Sequence, residues 1–142
     1  MKKILVAVLC ALFLAGCASE PKEERSFDTP NTEVKEVGND VKAESATIAQ
    51  KVLEKQYGLA NFKINMTDDD YKVYQMPDDK NADTGEVYMN LYSTMGTFEF
   101  QDKNYSFTML HSMKDESSYA VVYFETNYDD SLTIDTPLES DN

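Results

Sequence analysis

Met109, His111 and Met113 are the residues whose types and spacing point most sharply to chemistry. On a β-strand, positions i, i+2 and i+4 project to one side, so two thioethers would flank the chain's one imidazole. Soft sulfur beside imidazole nitrogen suits Cu(I). The Cα atoms of alternate strand residues lie ~6.7 Å apart, so convergence asks for a bent strand or a fourth ligand. Tyr105 and Phe107 fall on the same face, and a core strand with methionine as gap filler accounts for the pattern equally well. Residues 79–86 alternate oxygen-bearing side chains as calcium loops do. Yet Gly85 comes one position late, and Asn90 stands where a bidentate glutamate belongs. A solvated connection rich in turn residues explains that stretch.

The chain holds nine Tyr and no Trp. Tyr88 and Tyr92 share a strand face with Asn90, and Tyr119 and Tyr123 share another. Turned to solvent, these faces form a Tyr/Asn patch ringed by acid, a composition suited to protein recognition. Turned inward, they are ordinary sheet tyrosines. Enzyme chemistry finds little support. A Ser-His-Asp relay needs His111, but there is no nucleophile-elbow glycine pattern and Ser112 points to the opposite strand face. The acidic runs at 68–70 and 129–130 are unavoidable among 26 acids and argue weakly for glycosidase chemistry. Phosphate-binding glycine loops, HExxH and CxxC are missing from the sequence. The expectation is a non-enzymatic protein with no catalytic residue and no cofactor.

The elements that must position these residues begin near Asp40. Asp40 or Ser45 can cap a helix, and Ile48, Ala49, Val52, Leu53 and Gln56/Tyr57 follow at helical spacing. Gly58 closes it, with Leu59 placed for the apolar contact of a Schellman turn. Downstream the pattern has period two. Phe62, Ile64 and Met66 mark one strand and residues 71–76 a second, stopped by Pro77. Val87, Met89 and Leu91 share a face opposite Tyr88, Asn90 and Tyr92; Gly96 suggests a bulge or bend. Phe98 and Phe100 lead through a turn at residues 102–104 to Tyr105, Phe107 and Met109. Residues 119–124 are apolar on both faces, as in a central strand, and Leu132 with Ile134 adds a short edge. The predicted class is α+β: one N-terminal amphipathic helix packed on an antiparallel sheet of five or six strands over residues 40–135.

Around this domain, residues 136–142 read as an acidic tail, and 18–39 as a disordered acidic tether with few apolar groups. The chain has 13 basic and 26 acidic side chains, a formal charge of −13. Such a surface repels phosphate backbones, which argues against nucleic acid as a partner. It also pushes the domain away from anionic lipid headgroups and welcomes basic proteins or cations.

Lys2 and Lys3 precede an apolar run over residues 4–14, too short for a membrane span, followed by Leu14-Ala15-Gly16-Cys17. These four residues resemble the lipobox of bacterial lipoprotein precursors. The resemblance implies a signal peptide over residues 1–16, cleavage before Cys17, and a diacylglyceryl group on its sulfur, with palmitate-type N-acylation in some bacteria. It also implies a home in the cell envelope, on the outer side of the cell membrane or at the outer membrane of a Gram-negative cell. Cys10 would leave with the signal, and the folded part would then lack any disulfide or thiolate site. The order of helix, then long antiparallel strands, behind a lipobox and an acidic tether resembles the cystatin-like-fold lipoproteins of Gram-positive bacteria. A nuclear-transport-factor-2-like cone shares that pattern. The implied role is an extracytoplasmic protein-binding module, whether assembly factor, inhibitor or immunity factor, with metal binding through the Met-x-His-x-Met strand as the alternative.

Overall fold

The computed structural model describes residues 25–135 and 137–140. The expected signal peptide, Cys17 and the first part of the tether lie outside the described residues. Helix α1 (Asn39–Lys55) buries Ile48, Ala49, Val52 and Leu53, as their spacing predicts, together with Ser45 and Ala46. Neither expected cap is one. Gly38 occupies the N-cap without a side-chain bond, its carbonyl taking the Lys42 N–H at 3.2 Å. Asp40 lies in the first turn, where its charge suits the positive end of the helix dipole. Ser45 faces the core. At the other end Gly58 adopts φ +65°, and the Leu59 N–H reaches back to the Leu53 carbonyl at 3.1 Å. That loop spans six residues, one more than a Schellman bond, and it returns Leu59 to the core.

The strands are β1 (Lys35–Glu36), β2 (Lys63–Ile64), β3 (Lys72–Met76), β4 (Asp79–Lys80), β5 (Val87–Tyr88), β6 (Leu91–Phe100), β7 (Lys103–Met113), β8 (Tyr119–Thr126) and β9 (Leu138–Glu139). Seven form one antiparallel sheet in the order β1-β3-β6-β7-β8-β9, with β2 also pairing to β6, and β4-β5 is a separate hairpin. The α+β class stands. The sheet is wider than five or six strands because short edges were hidden in segments read as tether and tail.

Both ends of the described chain are thus fastened. Residues 25–38, read from sequence as disordered tether, form a strap across the sheet. Asn31 is buried, its side-chain amide donating to the carbonyls of Glu33 and Met76 at 2.7 Å each. Arg25 pairs with Glu44 at 2.6 Å, and the Phe27 carbonyl accepts from Asn90 at 3.0 Å. In the expected tail, β9 pairs with β8, and Lys114 bridges to Glu139 at 2.7 Å. Tyr57 secures the segment after β8, with its ring against Phe124 and its hydroxyl donating to the Leu132 carbonyl at 2.7 Å. Burial, then the charges of Asp129 and Glu125, push that hydroxyl up to about 12, so it remains a donor.

Three local readings also change. Gly96 is neither bulge nor bend: it pairs regularly with Phe107 and makes room for two rings. The β6–β7 turn is the two-residue loop Gln101-Asp102, with φ of +51° and +59°, while Lys103 and Asn104 already belong to β7. Two left-handed residues in a two-residue hairpin loop define a type I′ turn, for which Asn-Gly is the favoured pair. Replacing Gln101-Asp102 by Asn-Gly is expected to raise stability by about 1 kcal/mol, measured as a higher urea midpoint at unchanged slope. Finally, the sheet does bulge, but in β8. His111 pairs with Val121 and Leu110 with Tyr123, leaving Val122 as the extra residue.

Candidate functional site

The helix covers one face of the sheet and leaves the other free of any helix among the described residues. On the covered face, Val73, Tyr92, Phe98, Phe107, Met109, Val121 and Phe124 join the helix residues in one core. Strand alternation sends their neighbours to the opposite face. There the register places Glu36, Tyr74, Ser93, Leu110 and Tyr123 in a single cross-strand row over five strands. Lys72, Met95, Thr108 and Glu125 form the next row. Met95 is exposed, and Tyr74, Leu110 and Tyr123 are half-buried. The Tyr123 hydroxyl donates to Glu125 at 2.6 Å, which holds both side chains in place and, with burial, raises the hydroxyl's pKa. The face is closed at one end, where Leu91, Ser112 and Ala120 form a buried row and Ser112 bonds to the Met89 carbonyl; the remainder has an apolar and aromatic centre, small hydroxyl residues between, and Glu36, Glu99 and Glu125 at its rim.

This is a different patch from the one the tyrosine spacing suggested. Tyr88, Asn90 and Tyr92 are 5%, 2% and 2% exposed, so they are interior groups and offer no contact surface. The cause is Asn90, whose φ of +48° breaks the strand between β5 and β6 and ends the simple alternation. Its side chain fastens the strap, and its carbonyl takes the Met113 N–H at 3.1 Å. Tyr119 and Tyr123 do not share a face either. The extra residue Val122 inverts the parity between them, leaving Tyr119 against the core under the Lys51 ammonium, 5.6 Å from its ring. Only Tyr123 of the five lies on the open face. Tyr74, Met95 and Leu110 were missed, although the polar-apolar alternation of residues 91–100 and 103–113 carried the signal.

Met109, His111 and Met113 do lie together on the helix side of β7, with exposures of 0%, 0% and 2%. The His111 ring stacks on Tyr92 at 5.4 Å and 27°. Both its nitrogens lack a hydrogen-bond partner, as do the buried hydroxyls of Ser45 and Thr94. Burial first, and then the Arg25 guanidinium, pull the imidazole down to about 3, so it is neutral at physiological pH. Ser112, expected on the other face, is there, donating to the Met89 carbonyl at 2.6 Å. A hydroxyl-imidazole relay between these neighbours is excluded by that orientation.

The loop read as calcium-like is occupied with itself. Asn81 Oδ1 accepts the N–H groups of Asp83 and Thr84 at 2.9 and 3.1 Å, an Asx-type turn between β4 and β5. Among the described residues no three His, Cys, Asp or Glu side chains gather to hold a metal. An open cleft of about 490 Å³ lined by residues 60–63 and 99–102, and one of about 370 Å³ around Asp68 and Tyr71, bring no such set together either. No described helix is long and apolar enough to cross a membrane. No family model, curated protein or solved structure matches this chain.

Proposed function

We propose that the protein is a lipid-anchored, extracytoplasmic binding module that presents the helix-free face of its sheet to a protein partner. The observation that carries this reading is the row Tyr74, Ser93, Leu110, Tyr123 with Met95 beside it, left uncovered while the other face is fully packed. Aromatic and methionine side chains with few charges at the centre match the composition of contact cores. A rim of glutamates on a chain of formal charge −13 favours a partner with a basic margin.

Size sets the strength of the contact. With the Leu91, Ser112 and Ala120 row buried at one end, four strands ~4.8 Å apart and about six residues long offer a face of roughly 20 by 20 Å, or ~400 Å². A stable interface takes ~800 Å² per partner, so this face alone supports a weak, exchanging contact. Acylation at Cys17, expected from the lipobox, would offset that weakness by confining the module near envelope partners and raising their effective concentration. We read its one helix against a long antiparallel sheet as a cystatin-like or nuclear-transport-factor-2-like arrangement. We read the module as non-enzymatic; burial of the chain's one imidazole argues against a histidine-based relay.

A photo-crosslinking residue tests the face directly. Placed at Met95 in the lipidated protein in living cells, it should give a discrete adduct; placed at Met66, exposed elsewhere on the surface, it should not. Leu110→Asp should reduce the Met95 adduct at least tenfold while leaving the thermal midpoint within a few degrees. Equal adducts from both positions, or full capture by the folded Leu110→Asp protein, would refute the assignment. Intact mass of native material carrying a diacylglyceryl group on Cys17 tests the anchor.

A further inference from the structure

We propose that Met109, His111 and Met113 form an internal binding site for one soft monovalent metal ion, of which Cu(I) is the natural example. The proposal is independent of the open face, since these side chains lie on the opposite side of the sheet.

Three observations support it. The residues occupy alternate positions of β7 and are essentially without solvent exposure, so two thioethers lie on either side of one imidazole in a water-free setting. Both nitrogens of that imidazole are buried without a hydrogen-bond partner. A neutral imidazole has one donor and one acceptor, and leaving both unused in a core is costly. A metal on one nitrogen would use the acceptor. The other nitrogen would then carry the proton. Thr94 offers an acceptor for it: Tyr92 pairs with His111 and Thr94 with Met109, which puts Thr94 one diagonal step away, with its hydroxyl also unpartnered. The two groups are not bonded in the metal-free protein; a ligating histidine is ordinarily held through its second nitrogen, and a small shift toward Thr94 on metal binding would supply that bond.

The donor set selects the ion. Thioether sulfur is soft and uncharged, which suits Cu(I) and Ag(I) and serves hard divalent ions poorly. Burial adds to the preference, because a single positive charge costs far less to desolvate than two. The alternate positions lie ~6.7 Å apart at Cα, and the flexible methionine side chains supply the reach toward the ring.

The test is a Cu(I) titration, under reducing conditions and in competition with a chromogenic Cu(I) chelator, of the chain carrying Cys10→Ser and Cys17→Ser, which removes both thiols that would otherwise take Cu(I). One equivalent is expected to bind, and Ag(I) should displace it. Met109→Leu/Met113→Leu keeps the core volume and removes both sulfurs; its affinity should fall at least a hundredfold at unchanged circular dichroism. The single Met113→Leu variant should fall at least tenfold, and it stands in should the double variant fail to fold. X-ray absorption of the bound copper should show sulfur and nitrogen neighbours. Failure of the thiol-free chain to compete, undiminished binding by a folded Leu variant, or an oxygen-only shell would each overturn the proposal. The open-face reading would survive any of these, because it is tested at Met95 and Leu110.

Discussion

Lowering the pH from 6.5 to 4.5 is expected to remove about 2.3 kcal/mol of stability from the metal-free protein through His111 alone. In the folded chain the imidazole is held neutral to about pH 3 by burial and by Arg25, whereas an unfolded histidine protonates near 6.5. Below 6.5 the unfolded state therefore gains a proton that the folded state cannot accept. Stability from this group is complete above pH 6.5 and falls by ~1.4 kcal/mol per unit as pH drops toward 3. Against a total of ~5–15 kcal/mol for a domain of this size, the full loss approaches unfolding. The window matters for attribution. Asp115 and Asp129 also have lowered pKa values, from serine N–H and hydroxyl donors, but those carboxylates are exposed and titrate below the pH 4.5–6.5 range. Urea denaturation at pH 7.0, 5.5 and 4.5 should show the unmodified midpoint falling steeply. His111→Phe keeps a ring against Tyr92 and has nothing to titrate, so its midpoint should change little over the same range. Parallel pH curves for the two proteins would show that the buried imidazole is not the acid-sensitive group.

That histidine also shows what the sequence could and could not reveal. Its place on the core face, between two methionines, follows from period-two counting along residues 103–113. The four turns of α1 were equally legible, because Ile48, Ala49, Val52 and Leu53 repeat at local spacing. Elements whose stability comes from distant partners were not legible. The strap has almost no apolar periodicity; what fastens it is Asn31 bonding to Met76 and Asp78, 45 and 47 residues away. Strand β9 is two residues long and exists only because β8 offers an edge. The recognition patch failed for a sharper reason. Parity arguments assume an unbroken strand, and here one left-handed residue, Asn90, and one extra residue, Val122, each shift the count. Neither carries a distinctive local signature: asparagine tolerates the left-handed region but does not require it, and valine is ordinary in a strand.

Gly96→Ala provides the second large expected effect, and its sign discriminates between two accounts of the residue. A glycine in a regular strand that served only as a flexible bend would gain stability on becoming alanine, by roughly 0.5–1 kcal/mol, because the unfolded chain loses freedom. In this fold the added Cβ would stand 2.8 Å from Cδ2 of Tyr71 and 3.0 and 3.1 Å from Cε1 and Cζ of Phe107. Neither ring can retreat at low cost. Tyr71 is pinned by its hydroxyl, which donates to the Lys42 carbonyl at 2.6 Å and so ties β3 to the first turns of α1. Phe107 is stacked on Phe124 at 5.7 Å and 7° and leans on Phe98 at 6.5 Å. Overpacking of this kind costs ~1–3 kcal/mol, and Gly96→Val, with two further methyl groups, should fall at or beyond the upper end. Chemical denaturation gives the value directly. Coupling to the rings is the stricter check. With Phe107→Leu in place, the Gly96→Ala penalty should shrink by at least 1 kcal/mol, since the branched aliphatic side chain is shorter and can yield. A stabilising Gly96→Ala, or a penalty indifferent to residue 107, would mean that the close approach of β6 to these two rings does not limit the packing of helix against sheet.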